Sequence, residues 1–255
     1  MLSVEIADIL AICVLATVVA ALAGWMVVIL RRSPFTPVQS ALYALNYAIV
    51  RILWRAKIHG AVSLPPEQGA VLVCNHRCPL DPAFLMITVS RAIHWMVAKE
   101  YCEYPGFRQL LTTCEVIPVR RGSVDMAAIR AAIRLVKRGK LVGILPEGRI
   151  NTTAQMLLPG RSGAAMIALK ARAPIVPCYV HGAPYDGTSL GCLLMPASVR
   201  LEIGAPIDVS AYLDGNDLRH ALKELTRRLL KEIARLGGQP DFEPQLGGRF
   251  DKLDT

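Results

Sequence analysis

The stretch that decides the reading runs Val71-Leu72-Val73-Cys74-Asn75-His76-Arg77-Cys78-Pro79-Leu80-Asp81-Pro82. A short apolar run gives way to a histidine and an aspartate with four residues between them. An apolar segment, Ala83 to Val89, follows. A polar pair therefore stands where a buried strand ends and a helix begins. Asp81-Pro82 reads as helix cap and first helical residue. The intervening turn can fold the carboxylate back onto the imidazole. A carboxylate on one ring nitrogen fixes the tautomer and leaves the other nitrogen free as a base. Such a pair activates a hydroxyl without a covalent intermediate. Taken alone, the same residues also describe a capping aspartate beside a loop histidine.

Outward from this point, short β-rich runs alternate with helical patterns. Val71–Cys74, Ile93–Ala98, Val116–Val119, Leu141–Leu145, Ile175–Val180 and Val199–Ile203 read as strands. Met126, Ile129, Ile133 and Val136 share one helical face, with Ser123 as a cap and Gly139 as a stop. A second helix is expected over Arg161 to Arg172. A third uses Leu218, Leu222, Leu225, Leu229, Ile233 and Leu236 and ends at Gly237-Gly238. The alternation predicts an α/β fold with a mixed, largely parallel sheet flanked by helices over residues 60–238. Residues 239–255 read as a polar, loosely held tail. Sites in such sheets gather beyond the carboxyl ends of the strands, and the motifs of this chain fall there.

Before the sheet, Ile9 to Leu30 carries no charged residue and is long enough to span a bilayer. Glu5 and Asp8 precede it and Arg31-Arg32 closes it, the reverse of a cleaved signal. Residues 1–32 thus predict a transmembrane helix, and the positive flank places the rest of the chain in the cytoplasm. Residues 33–59 read as an amphipathic helix at the membrane interface. Leu42, Leu45, Ile49 and Ile52 recur at helical spacing, and Tyr43, Tyr47 and Trp54 suit headgroup depth. A helix docked on the domain surface is the other reading of this segment.

The net charge of +9, from 29 Lys+Arg against 20 Asp+Glu, suits an anionic lipid surface or a phosphorylated substrate. With 6% aromatics and no basic helix carrying base-reading residues, nucleic acid is not an expected partner. Seven scattered cysteines without a CxxC motif read as free thiols. Cys74, His76 and Cys78 lie close together, but no second ligand cluster completes a metal site. Neither a metal nor a cofactor is expected, and His59, His94, His181 and His220 read as structural.

Three further segments accompany the His–Asp pair. In Glu115-Val116-Ile117-Pro118-Val119-Arg120-Arg121-Gly122 paired arginines leave a strand, and a guanidinium fork suits phosphate. Such a pair is also compatible with a solvated strand end. In Leu145-Pro146-Glu147-Gly148-Arg149-Ile150-Asn151 a carboxylate sits on a tight turn close to a cation. Ala173-Pro174-Ile175-Val176-Pro177 is an apolar strand entry that fits either an acyl site or the core.

In this order and spacing, NHRCPLD, EVIPVRRG, LPEGRIN and APIVPCYV resemble the four motif blocks of the glycerolipid acyltransferases, a group that includes 1-acylglycerol-3-phosphate acyltransferases. The resemblance covers about Gly60 to Leu236, and VRLEIGAPI resembles the strand and turn that follow in many members. It implies that His76 is the general base for an acceptor hydroxyl and that Asp81 orients and charges it. It implies that Arg121, with Arg120 beside it, meets the acceptor phosphate. Asn75, Glu147, Gly148 and Arg149 complete the substrate-binding set. Common members read Pro-Glu-Gly-Thr-Arg-Ser where this chain reads Pro-Glu-Gly-Arg-Ile-Asn, so the arginine stands one place earlier, at Arg149. The implied donor is acyl-CoA or acyl carrier protein and the implied acceptor a lysophospholipid. A membrane-anchored thioester hydrolase or a non-catalytic lipid-binding protein is the alternative. Retention of His76 and Asp81 argues against the second of these, and the arginines argue against the first.

Overall fold

Ala70–Cys74 is the central strand of the sheet, and all five of its residues are buried. Val71 and Val73 enter one apolar cluster, Ala70, Leu72 and Cys74 the other. Successive side chains point to opposite faces, so a strand covered on both faces reads as an unbroken apolar run. In this computed structural model the described residues are 14, 17, 34–122, 124–188, 191–213 and 217–247.

Seven strands form one sheet: β1 (Lys57–His59), β2 (Ala70–Cys74), β3 (Ile93–Ala98), β4 (Ile117–Val119), β5 (Leu141–Ile144), β6 (Ile175–His181) and β7 (Arg200–Ile203). Their order is β1-β7-β6-β2-β5-β3-β4. Every neighbouring pair is parallel except β6 and β7. The mixed, largely parallel sheet is as the sequence predicts, and the carboxyl ends of β2, β5, β3 and β4 share one edge.

The helices are α1 (Pro37–Ala48), α2 (Asp81–Met86), α3 (Lys99–Glu103), α4 (Phe107–Thr113), α5 (Met126–Lys137), α6 (Gly163–Ala171) and α7 (Leu218–Leu236). One core lies under α5, α6 and α7, where Ile129, Ile167, Leu225 and Ile233 meet Val71, Val73 and Ile175. The other holds Trp54, Phe84, Leu85 and Trp95. In α7 the buried Leu222, Leu225, Leu229 and Ile233 recur at helical spacing, and Asp217 caps the start through the amides of Arg219 and His220. Asp125 caps α5 by accepting from Ala127 and Ala128, each at 3.0 Å. The expected cap, Ser123, lies outside the described residues.

Two compact units divide the chain, residues 1–42 and 43–255. The expected anchor, Ile9 to Leu30, lies outside the described residues apart from Val14 and Thr17. Among the described residues no helix is long and apolar enough to cross a membrane.

Two boundaries differ from the sequence reading. The segment expected as one helix over 33–59 is α helical only to Ala48, continues as a π-helical turn over Ile49–Leu53, and ends in strand β1. Lys57 to His59 pair in register with Arg200 to Glu202, so the sheet begins before Gly60. Trp54 is not at headgroup depth. It is 1% exposed, tilts against Phe84 at 5.1 Å, and its Nε1 donates to Met195 O at 3.0 Å. Leu45, Tyr47 and Ile52 remain exposed.

The tail is the second correction. Beyond Pro240 the chain docks: Phe242 and Leu246 pack on the first core, and Gly160 exchanges backbone hydrogen bonds with Gln245 and Gly247. Its two apolar side chains, few among polar ones, decide this against the composition. Residues 248–255 lie outside the described residues.

Candidate active site

The register of two strands assembles the site. Val73 of β2 stands opposite Ile144 of β5, and three residues further on each strand come His76 and Glu147. Glu147 Oε1 accepts from the His76 backbone N–H at 2.7 Å, and Oε2 accepts from the Leu158 N–H at 2.8 Å. One buried carboxylate thus ties the end of β2 to the loop that follows β5. Burial pushes the Glu147 carboxyl up from its ordinary range, and the two amides offset part of that rise.

Asp81 returns onto His76 as the spacing suggests: His76 Nδ1 lies 3.0 Å from Asp81 Oδ2. The aspartate is the first residue of α2 but does not cap it, since Leu80 holds the cap position. Its Oδ2 instead accepts from the backbone N–H groups of Arg77 at 2.7 Å and Cys78 at 2.9 Å. Three donors converge on one oxygen of a fully buried side chain. Oδ1 has no hydrogen bond to a described residue. This buried carboxylate fixes the orientation of the ring that faces it. It also puts the proton on Nδ1, leaving Nε2 as the basic nitrogen. The His76 side chain is 16% exposed, and Nε2 has no hydrogen bond to a described residue. Burial pushes the neighbouring Cys74 and Cys78 thiols well up, which makes both poor nucleophiles. The six described cysteines are free thiols.

Asn75 takes a different role from the substrate contact expected of it. Its Nδ2 donates to Val180 O at 3.1 Å and its Oδ1 accepts from Val180 N at 2.8 Å. The side chain is fully buried and replaces a strand partner, extending the β2–β6 ladder past Cys74. It fixes where His76 begins, and both polar atoms of its amide are engaged with Val180.

Arg77, which the sequence reading does not single out, locks the other side. Its guanidinium donates to the carbonyls of Asn151 at 3.2 Å, Thr153 at 2.7 Å, Gln155 at 2.6 Å and Met156 at 3.5 Å. Asn151 N donates in turn to His76 O at 2.7 Å. The loop after Glu147 is thereby wrapped around the histidine. No local signal marks Arg77, because its partners are more than seventy residues away in sequence.

Gly148 turns with φ +67° beside Glu147, and Arg149 is exposed next to it. Arg120 and Arg121 leave the end of β4 on the same edge but three strands from β2, about 14 Å at the usual strand spacing. Both are exposed. Arg120 N donates to Asp125, and the Arg121 side chain lies 3.5 Å from Glu100 and over the Tyr101 ring at 5.5 Å. The structure therefore brings together His76, Asp81, Glu147 and Gly148, with Asn75 as a strut, and sets the paired arginines at the rim. Ala173, Ile175 and Val176 are core residues on the two sheet faces.

A family model described as Acyltransferase matches residues 55–181. A 1-acyl-sn-glycerol-3-phosphate acyltransferase of Bacillus subtilis (strain 168) is 30% identical over 181 residues, 69% of this chain and 87% of the relative. One of Cocos nucifera is 30% identical over 141 residues, 54% of this chain and 46% of that protein, so the chain spans under half of this longer relative. The crystal structure of the 1-acyl-sn-glycerophosphate (LPA) acyltransferase from Thermotoga maritima superposes with a TM-score of 0.59 at 21% identity. It covers 76% of this chain and 79% of that one, and shows the same fold. The chain belongs to the glycerolipid acyltransferase family. It is an O-acyltransferase.

Proposed function

We propose that the protein transfers a fatty acyl group from acyl-CoA or acyl carrier protein to the free hydroxyl of a lysophospholipid such as 1-acylglycerol-3-phosphate. The observation that carries this is the His76 Nδ1–Asp81 Oδ2 contact of 3.0 Å, which leaves Nε2 free at the strand edge. The acceptor hydroxyl gives its proton to Nε2 as its oxygen attacks the thioester carbonyl carbon. Asp81 stabilises the imidazolium that forms. The tetrahedral intermediate collapses, the carbon–sulfur bond breaks, and the departing thiolate recovers the proton from His76. Positioned base catalysis of this kind contributes about 10²–10⁴-fold. The relatives named for 1-acyl-sn-glycerol-3-phosphate support that acceptor, and the +9 net charge suits phosphate-bearing substrates.

Purified protein given acyl-CoA with and without lysophosphatidate tests the reading. Ester formation that requires the acceptor is the expected result. Thioester loss to free fatty acid at the same rate in both cases, or no reaction, contradicts it.

The same reading seats the enzyme on the cytoplasmic face of a membrane. The support is the uncharged run Ile9 to Leu30 closed by Arg31-Arg32, together with exposed Leu45, Tyr47 and Ile52. The full-length chain should stay with membranes through an alkaline carbonate wash and be cleaved beyond Arg32 only after cell lysis. Release by the wash, or cleavage from outside intact cells, contradicts this placement.

A further inference from the structure

Gly148 has no side chain, and Arg161 occupies the space beside it. A Cβ on Gly148 would lie 3.4 Å from Nε and 3.5 Å from Cζ of Arg161. The guanidinium therefore runs along the turn that carries Glu147, the residue hydrogen-bonded to the His76 backbone.

The Arg161 main chain is fixed from both sides. Its N–H donates to Pro146 O at 2.9 Å. The preceding Gly160 donates to Gln245 O at 3.0 Å and accepts from Gly247 N at 2.9 Å. The side chain is nonetheless exposed, and its guanidinium makes no hydrogen bond or ion pair with a described residue. Two other arginines of the edge differ. Arg77 is consumed by four carbonyls, and Arg121 lies against Glu100 and Tyr101. Arg161 is a cation on an anchored backbone, free to meet an anion, at the turn that positions the base. A planar fork held in this way suits the paired oxygens of a phosphate.

We infer that Arg161 binds a phosphate group of a substrate beside Gly148 and so sets substrate specificity ahead of Arg121. This rests on the proposed acyl transfer, in which phosphate arrives on the lysolipid acceptor or on the nucleotide end of the acyl-CoA donor.

Full-length wild type, Arg161→Gln and Arg161→Lys are compared in four arms. Lysophosphatidate and monoacylglycerol serve as acceptors, each with acyl-CoA or with acyl-pantetheine, which has no phosphate. Removing one charge-assisted hydrogen bond to phosphate should cost about ten- to a hundredfold in kcat/KM, read mainly in KM. A loss by Arg161→Gln confined to lysophosphatidate assigns the acceptor phosphate. A loss confined to acyl-CoA assigns the donor phosphate. In either case Arg161→Lys recovers part of the loss, because it keeps the charge without the fork. Equal losses in all four arms, or none, overturn the inference. A second readout separates it from the proposed function. Glycerol 3-phosphate or CoA should raise the Tm of the wild type and not of Arg161→Gln, even should no acceptor be turned over. Equal shifts in both proteins overturn the phosphate role.

Discussion

His76→Ala is expected to lower acyl transfer by about 10²–10⁴-fold while the domain stays folded. The side chain reaches the surface, so its removal opens no sealed cavity. Its one hydrogen bond among the described residues is to Asp81, and the two backbone amides on that aspartate remain. Asp81→Asn should be nearly as severe for a different reason. An amide oxygen can still accept from Arg77 N and Cys78 N, so the turn survives. It brings no negative charge to balance the imidazolium and can hold the ring in the wrong tautomer. Steady-state rates with matched melting curves check both variants. Wild-type turnover in Asp81→Asn would reduce Asp81 to a brace for the turn.

The largest effect on stability is expected at Glu147. Each of its oxygens takes one backbone N–H, from His76 and from Leu158, and the residue is 4% exposed. Glu147→Ala leaves both amides without a partner at about 1–3 kcal/mol each, so a loss of about 2–6 kcal/mol follows. Against a total of about 5–15 kcal/mol for a typical domain, that is a large fraction. Glu147→Gln keeps one acceptor oxygen and should lose less. The two proteins should also differ with pH. The folded Glu147 pKa stands above its ordinary 4.5, so folding takes up a proton at this site. The wild type's stability relative to Glu147→Gln is then greatest below 4.5 and declines as pH rises through the folded value. Denaturant unfolding of both proteins across that range measures it. A relative stability that rises with pH contradicts a net burial cost at Glu147.

The fold is legible because β2 and α7 carry unambiguous periods. Five consecutive buried apolar residues announce a strand covered on both faces, and Leu222, Leu225, Leu229 and Ile233 announce a helix. The His76–Asp81 pair is legible because its geometry is local, a single turn closing on itself. What the sequence hides depends on residues far apart along the chain. Glu147 meets the His76 amide only through the parallel register of β2 and β5. Arg77 carries no signal until the loop after Asn151 folds back upon it. The resemblance puts Asn75 in the substrate-binding set, while its amide is engaged with Val180. The company of Tyr43 and Tyr47 suggests headgroup depth for Trp54 and misplaces it. The pairing of Lys57–His59 with β7 draws it inward instead.

The central claim is that His76 activates the acceptor hydroxyl for direct attack on the thioester. Single-turnover mixing of excess enzyme with acyl-labelled acyl-CoA and lysophosphatidate, quenched over time, tests it most directly. Label should pass from thioester to phosphatidate with no label on the protein at any time, and His76→Ala should slow that passage by about a hundredfold or more. Label bound covalently to the protein before the ester appears, or an undiminished rate in His76→Ala, would contradict it.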